Sequence, residues 1–386
     1  MNLALALRDK GMLNAAIGTN RNAIAIRPDY PEAHFNLSLV LLTAGQFLDG
    51  WQEYEWRWRG GIKELKPQEF KKPRWQGEDP TGKTLLLYAE QGLGDTLQFA
   101  RFVSQLAMRG ARVILVIPRE LVALMRSLPG VAAVVTGGDK IPSYDFHLPL
   151  MSVPSVLGTT EQDLPGEIPY LLADPERVRA WRERLGREGF KVGIVWQGRP
   201  DVKIDKGRSV PLRSFAPIAD QPGVRLISLQ KKHGLDQMDA LPQGMKVETL
   251  GADFDAGSDA FLDTAAVMMS LDLIISSDTS VAHLAGALGR PVWTALKLVP
   301  DWRWQFERED SPWYPTARLF RQRRYDDWDE VFSRINNELG KLLSEAHPFP
   351  KLQSSATNED LISPKIHRAS RRWSPPLQRF DVDYRS

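Results

Sequence analysis

The chain has 386 residues, of which 42% are hydrophobic and 25% charged, with a formal charge of +2. That is enough apolar material for two globular domains, and the near balance of charge excludes a global field that would draw in nucleic acid or an anionic membrane. With no cysteine in the chain, disulfides, thiolate metal sites and a cysteine nucleophile are all excluded, and a reducing compartment suits it.

The opening MNLALALRDKG carries too short an apolar run for a secretory leader, and no uncharged stretch is long enough to span a bilayer. A cytoplasmic protein is expected, with peripheral contact at the inner membrane left open. The chain then repeats itself. With Pro31 as the first position of a unit of about 34 residues, Leu37, Leu41, Gly45, Phe47 and Tyr54 fall on the tetratricopeptide pattern, and Leu3, Leu7, Gly11, Leu13 and Asn20 answer them one unit earlier. Residues 1–58 are therefore read as α-helical tetratricopeptide repeats. Either the first one is truncated or the pair leans on the domain that follows. Such repeats offer a surface to a protein partner or acceptor. Residues 59–83, rich in Gly, Pro and charge, are read as a linker. Residues 77–84, GEDPTGKT, match the phosphate-binding P-loop expression, but they leave a charged linker and lead into a strand, whereas a P-loop opens a helix.

From residue 84 the pattern alternates. Strands are predicted over 84–90, 111–118 and 131–137 and helices over 95–110 and 119–130, the βαβ rhythm of a parallel sheet. A helix at 174–186 leads to a second alternation, with strands over 191–198, 224–230, 246–251, 271–277 and 291–296 and helices over 261–270 and 279–289. Two Rossmann-like domains, 84–185 and 186–345, are expected to face each other across a cleft, with ligands at the carboxyl ends of the strands. An amphipathic helix at 326–346 packs back on the fold, and residues 346–386 are read as a disordered tail.

Three stretches carry candidate chemistry. Residues 88–98, YAEQGLGDTLQ, put Gly92 and Gly94 after the first strand, where they permit a tight backbone path, and Asp95 at the start of the next helix. A dinucleotide fingerprint fails here, because Leu97 stands at the third glycine position and the second strand runs out into Ile117, Pro118 and Arg119 without an acid. Asp95 is left as a helix cap, as a general base at the mouth of the cleft, or as both. The second stretch ends a buried strand in Ser276, Ser277, Asp278, Thr279 and Ser280, with His283 one turn into the following helix. Amides and hydroxyls at a helix N-terminus suit a diphosphate, and a plain capped turn has the same sequence. The third stretch follows the strand at 191–198: Gln197 and Gly198 stand at its carboxyl end, and Lys203, Lys206 and Arg208 offer cations to phosphates, with Arg208 the first choice. The aromatics Trp302, Trp304, Phe306, Trp313 and Tyr314 are read as packing, and Arg303 and Arg308 rank behind the other cations.

The stretch EQGLGDTLQFARF resembles the N-domain motif of bacterial glycosyltransferase family 9, the heptosyltransferase-like enzymes, and SDTSVAHLAGALGRPVW is similar to that family's C-domain motif. The preceding repeats are similar to those of its repeat-bearing relatives and distantly to O-linked GlcNAc transferases. The resemblance spans roughly residues 84–340. It implies an α/β protein of the GT-B fold, preceded by the tetratricopeptide segment. It also implies a nucleotide-diphosphate sugar donor held by the C-terminal domain and inverting transfer without a metal or a further cofactor. Asp95 matches the aspartate that acts as general base, and Thr279, Ser280 and His283 match the positions around the donor diphosphate. The implied acceptor is a glycan, a lipopolysaccharide or other lipid-linked chain, or a protein, with no role for nucleic acid. Two other readings stay open: a non-catalytic interaction protein with a relic GT-B body, and a GT-B nucleotide-sugar epimerase.

Overall fold

Small and large apolar residues at helical spacing fold the start of the chain into two hairpins, α1 (Asn2–Asp9) with α2 (Leu13–Ile26) and α3 (Pro31–Thr43) with α4 (Phe47–Tyr54). Each hairpin turns at a glycine of positive φ, Gly11 at 74° and Gly45 at 75°. The repeat register read from the sequence is thus the register of the fold, since a side chain at either position would be strained. A 3-10 turn at Glu55–Arg59 ends the segment. The structure is a computed structural model that describes residues 2–60, 62, 65, 67–200, 207–257 and 260–346. Lys203, Lys206 and the expected tail at 347–386 lie outside the described residues.

Two parallel sheets follow. In the first, β1 (Thr84–Tyr88), β2 (Arg112–Val116), β3 (Val131–Val135) and β4 (Phe146–Pro149) stand in the order β3-β2-β1-β4, crossed by α5 (Leu93–Phe99), α6 (Phe102–Met108), α7 (Arg119–Met125) and the short α8 (Val153–Leu157). After α9 (Pro175–Leu185) the second sheet adds β5 (Phe190–Val195), β6 (Val224–Ser228), β7 (Val247–Glu248), β8 (Leu273–Ser277), β9 (Val292–Leu296) and β10 (Ala317–Arg321) in the order β10-β9-β8-β5-β6-β7. Its helices are α10 (Ala216–Ala219), α11 (Leu262–Met268), α12 (Ser280–Ala287) and the closing α13 (Trp328–Ala346). Central strands such as β1 and β8 are buried nearly throughout because helices cover both faces of a parallel sheet.

Three details depart from expectation. The helix expected over 95–110 starts at Leu93 and breaks at Ala100–Arg101 into α5 and α6. There Arg101 turns a buried guanidinium back to the Gln98 carbonyl (3.2 Å) and over the Tyr314 ring (4.8 Å). Strand β4, the short FHLP, is the last strand of its sheet: it pairs with β1 on one side and on the other meets, among the described residues, only the bridge of Arg74 to His147, so its terminal proline costs no ladder bond. Strand β10, also an edge, was not expected at all.

The core does not divide where the sequence does. Leu42, Trp51 and Tyr54 of the repeats share one apolar cluster with Leu87 and Phe99 of the first sheet layer and Leu284, Trp302 and Trp313 of the second. Trp51 donates its indole N–H to the Thr159 carbonyl (3.0 Å) and meets Trp302 edge-on at 5.4 Å. The repeats therefore lean on the body. The hairpin glycines point the same way, with Gly11 against the Phe306 ring and Gly45 against Gln305. No described helix is long and apolar enough to cross a membrane.

Candidate active site

The carboxyl end of β1 gives the first wall. The chain leaves the strand through Glu90 and Gln91, and Gly92, in extended backbone (φ −71°, ψ 171°), becomes the N-cap of α5. Asp95 is not itself the cap but the third helical residue. Its Oδ2 accepts the Gly92 N–H at 2.7 Å, so the acid satisfies an orphan donor and the helix dipole together. Its Oδ1 is held by Arg303 from the other half of the molecule. Neither Gly92 nor Gly94 is among the glycines of positive φ, so what they provide is room. A Cβ on Gly92 would lie 3.1 Å from Asp95 Oδ2, and one on Gly94 would lie 3.0 Å from His283 Cδ2 and 3.5 Å from Ser280 Cα.

That contact brings in the second wall, where β8 meets α12. Ser276 Oγ donates to the Ser277 carbonyl (2.7 Å) and lies 3.1 Å from the Thr279 hydroxyl. Thr279, the N-cap, places no side chain on the helix amides. Thr279 and Ser280 are half-buried, whereas Asp278 is buried. Burial first, and then the charge of Asp301, push the Asp278 carboxyl above its usual range, with Arg208 opposing them. His283 is packed among aromatic side chains. Its Nδ1 lies 3.0 Å from the Tyr314 hydroxyl and its ring stacks on Trp304 at 5.1 Å. Burial, with Arg303 beside it, lowers its pKa to about 3, so the ring is neutral.

The remaining predicted residues divide. Gln197, at the end of β5, is held by amides: its Oε1 accepts from Gln237 Nε2 (3.0 Å), and its N–H donates to Gln230 Oε1 (3.0 Å). The Gly198 N–H donates to Ser209 Oγ at 3.3 Å. Both support the loop. Arg208 belongs to the cluster, since its charge acts on both Asp278 and His283.

The turn after β9 supplies groups that sequence reasoning ranked low or passed over. Arg303 donates to Asp301 Oδ1 at 2.6 Å and to Asp95, with its guanidinium over the Trp302 ring at 4.3 Å. Burial works against its charge, but Asp301 and Asp95 outweigh burial and raise its pKa. Burial likewise works against Asp301, and Arg303 holds that carboxyl below its usual range. Lys297 follows β9 directly, and burial lowers its pKa against the pull of Asp278 and Asp301. The available signal was positional: a lysine, an aspartate and an arginine within seven residues of a strand's carboxyl end. From the repeats, Tyr54 accepts a hydrogen bond from Gln91 Nε2 (2.7 Å), and Arg57 donates to Glu90 Oε1 (2.9 Å) and Ser152 Oγ (2.7 Å). Among the described residues no three or more His, Asp or Glu are grouped to hold a metal ion.

The repeats and the fold have counterparts among known proteins. Residues 4–45 match the TPR repeat family. Protein FlbA of Caulobacter vibrioides is 27% identical over 372 aligned residues, covering 88% of this chain and 60% of its own length. The chain thus spans three-fifths of that curated relative. The solved structure of E. coli ADP-heptose LPS heptosyltransferase II superposes with a TM-score of 0.51 at 16% identity, covering 68% of this chain and 99% of the other. The glycosyl transferase family 9 structure from Veillonella parvula gives 0.48 at 13% identity, covering 70% and 92%. The chain is therefore a tetratricopeptide repeat segment joined to an α/β body with the GT-B fold of the heptosyltransferases.

Proposed function

We propose that the chain is an inverting, metal-independent glycosyltransferase that moves a sugar from a nucleotide-diphosphate donor to a hydroxyl of a glycan, lipopolysaccharide or protein acceptor. The observation that carries this reading is the meeting of the two turns: Gly94 lets α5, with Asp95 near its start, pack on the N-terminus of α12. A single displacement needs a base on one face of the sugar and charge stabilisation of the leaving group on the other. Asp95 takes the acceptor proton as the new bond forms to the anomeric carbon. The bond to the diphosphate breaks and its electron pair leaves with the phosphate, toward the α12 amides, the Thr279 and Ser280 hydroxyls and Arg208. Lys203 and Lys206 stay candidates for the same phosphates. The ADP-heptose named for the E. coli structure puts ADP-sugars first among donors to test. With α4 packed into the body, a partner or acceptor would use the outer faces of α1 to α3.

A thermal-shift panel of ADP, UDP, GDP and their sugars at millimolar concentration tests the reading. A micromolar ligand adds about 4 kcal/mol, and no stabilisation by any of them removes it. With a donor in hand, Asp95→Asn is expected to keep nucleotide binding and lose transfer by about 10²- to 10⁴-fold. Unchanged transfer removes Asp95 as the base.

A further inference from the structure

Arg303 is the link between the two walls. It is 7% exposed, and it joins Asp95 of the first half to Asp301 of the second. Its Nε, also buried, has no hydrogen-bond partner among the described residues. An unmade bond on a buried charged donor is costly and needs an acceptor. Trp304, the next residue, stacks on His283 of α12 at 5.1 Å, and Gly94, beside the Asp95 that Arg303 holds, abuts Ser280 and His283, so the guanidinium lies near the α12 end toward which the proposed diphosphate would depart.

Resting on the transfer reading above, we propose that Arg303 is a further catalytic residue, which gives up Asp95 to receive the departing diphosphate. The charge balance of the step supports it. Before transfer Asp95 is an anion and holds Arg303. As transfer proceeds, the acceptor proton moves to Asp95 and neutralises it, the bond from the acceptor oxygen to the sugar forms, and the bond to the diphosphate breaks with its electron pair. One negative charge thereby passes from Asp95 to the diphosphate. A guanidinium beside both is worth less to the first and more to the second at that moment, which is stabilisation gained in the transition state rather than in the ground state. Asp301, whose Oδ1 accepts from both the Arg303 guanidinium (2.6 Å) and the Arg303 backbone N–H (3.1 Å), keeps the turn in place while the other end changes partner.

The exchange makes an unusual demand on the base. If Asp95 and the diphosphate compete for one guanidinium, then neutralising Asp95 must tighten diphosphate binding. ADP, with UDP and GDP in parallel, is titrated calorimetrically into the wild type, Asp95→Asn, Arg303→Lys and the double variant. Asp95→Asn, which keeps an acceptor for the Gly92 N–H, is expected to bind the diphosphate about tenfold tighter than wild type, the size of one charge-assisted hydrogen bond gained. Arg303→Lys is expected to weaken binding several-fold in both backgrounds, because an ammonium loses the planar fork. Equal or weaker binding by Asp95→Asn, or no effect of Arg303→Lys in the Asp95→Asn background, overturns the exchange while leaving the transfer reading intact. No binding of any diphosphate to wild type or variants overturns the transfer reading, and the exchange with it.

Discussion

The turn after β1 and the turn after β8 both leave the carboxyl end of a parallel strand and open a helix, yet they dispose of charge differently. After β1 the acid stays partly exposed: Asp95, with a fifth of its side chain exposed, satisfies its own helix through the Gly92 N–H. After β8 the acid is buried, the capping hydroxyl is spent on Ser276, and the histidine one turn on is neutral. The first turn carries a charge and quenches its own dipole. The second buries its charge and leaves its dipole for something else. A base belongs to the first arrangement and an anion to the second.

The pH dependence of stability should divide along the same line. His283 has a folded-state pKa of about 3 against an ordinary 6.5. Between those values the unfolded chain binds a proton that the folded chain refuses. Stability present above the ordinary value is therefore lost as pH falls through this window, by on the order of 5 kcal/mol at full effect. Urea unfolding at a series of pH values should show this slope in the wild type, and His283→Gln should remove most of it. An unchanged slope means that the ring is not buried neutral.

On the first wall the sign reverses. Glu90 has only 2% of its side chain exposed, and burial, opposed by Arg57, raises its pKa to about 7. Arg57 keeps its charge because Glu55 faces it as well at 2.8 Å, whereas Glu90 shares that one guanidinium. A raised carboxyl stabilises most below its ordinary value of 4.5, and the gain is lost as pH rises through about 7, by up to about 3 kcal/mol. Glu90→Gln should accordingly be more stable than wild type at pH 8 and not at pH 4, read by the same urea titration. Parallel curves at both pH values would place Glu90 in water.

Much of this architecture was legible because it is local. Gly11 and Gly45 recur in register since each hairpin needs its own left-handed turn, and the two candidate-site turns show as polar interruptions between an apolar run and an amphipathic one. What failed was whatever depends on a partner far along the chain. Arg303 lies 208 residues from Asp95, and PDWRWQ by itself is only a turn with aromatics. Periodicity in α4 marks a buried face at Trp51 and Tyr54 without saying that two sheets, and not another repeat, cover it. Asp95 as a cap was half legible: Asp favours the N-cap, where its side chain reaches the N2 and N3 amides, but an acid three residues past the cap reaches back to the cap residue's own N–H, and here Gly92 takes the cap position.

The smallest expected effect tests the contact between the walls itself. Gly94→Ala adds a methyl 3.0 Å from His283 Cδ2. The ring has little room to retreat, being stacked on Trp304 and bonded to Tyr314, so α5 must lift. Alanine gains about 1 kcal/mol of helix propensity, and overpacking costs about 1–3 kcal/mol. The two nearly cancel, leaving a net loss of about 1 kcal/mol in urea unfolding. Gly94→Val, with a smaller propensity gain to offset a larger clash, should lose more. Gly92→Ala presses instead on Asp95 Oδ2, at 3.1 Å, and leaves α12 alone. If the walls act separately, Gly92→Ala should reduce transfer with diphosphate affinity unchanged, while Gly94→Ala should weaken diphosphate binding. Should both variants alter both readouts equally, the two turns form one unit and the division of charge between them has no functional meaning.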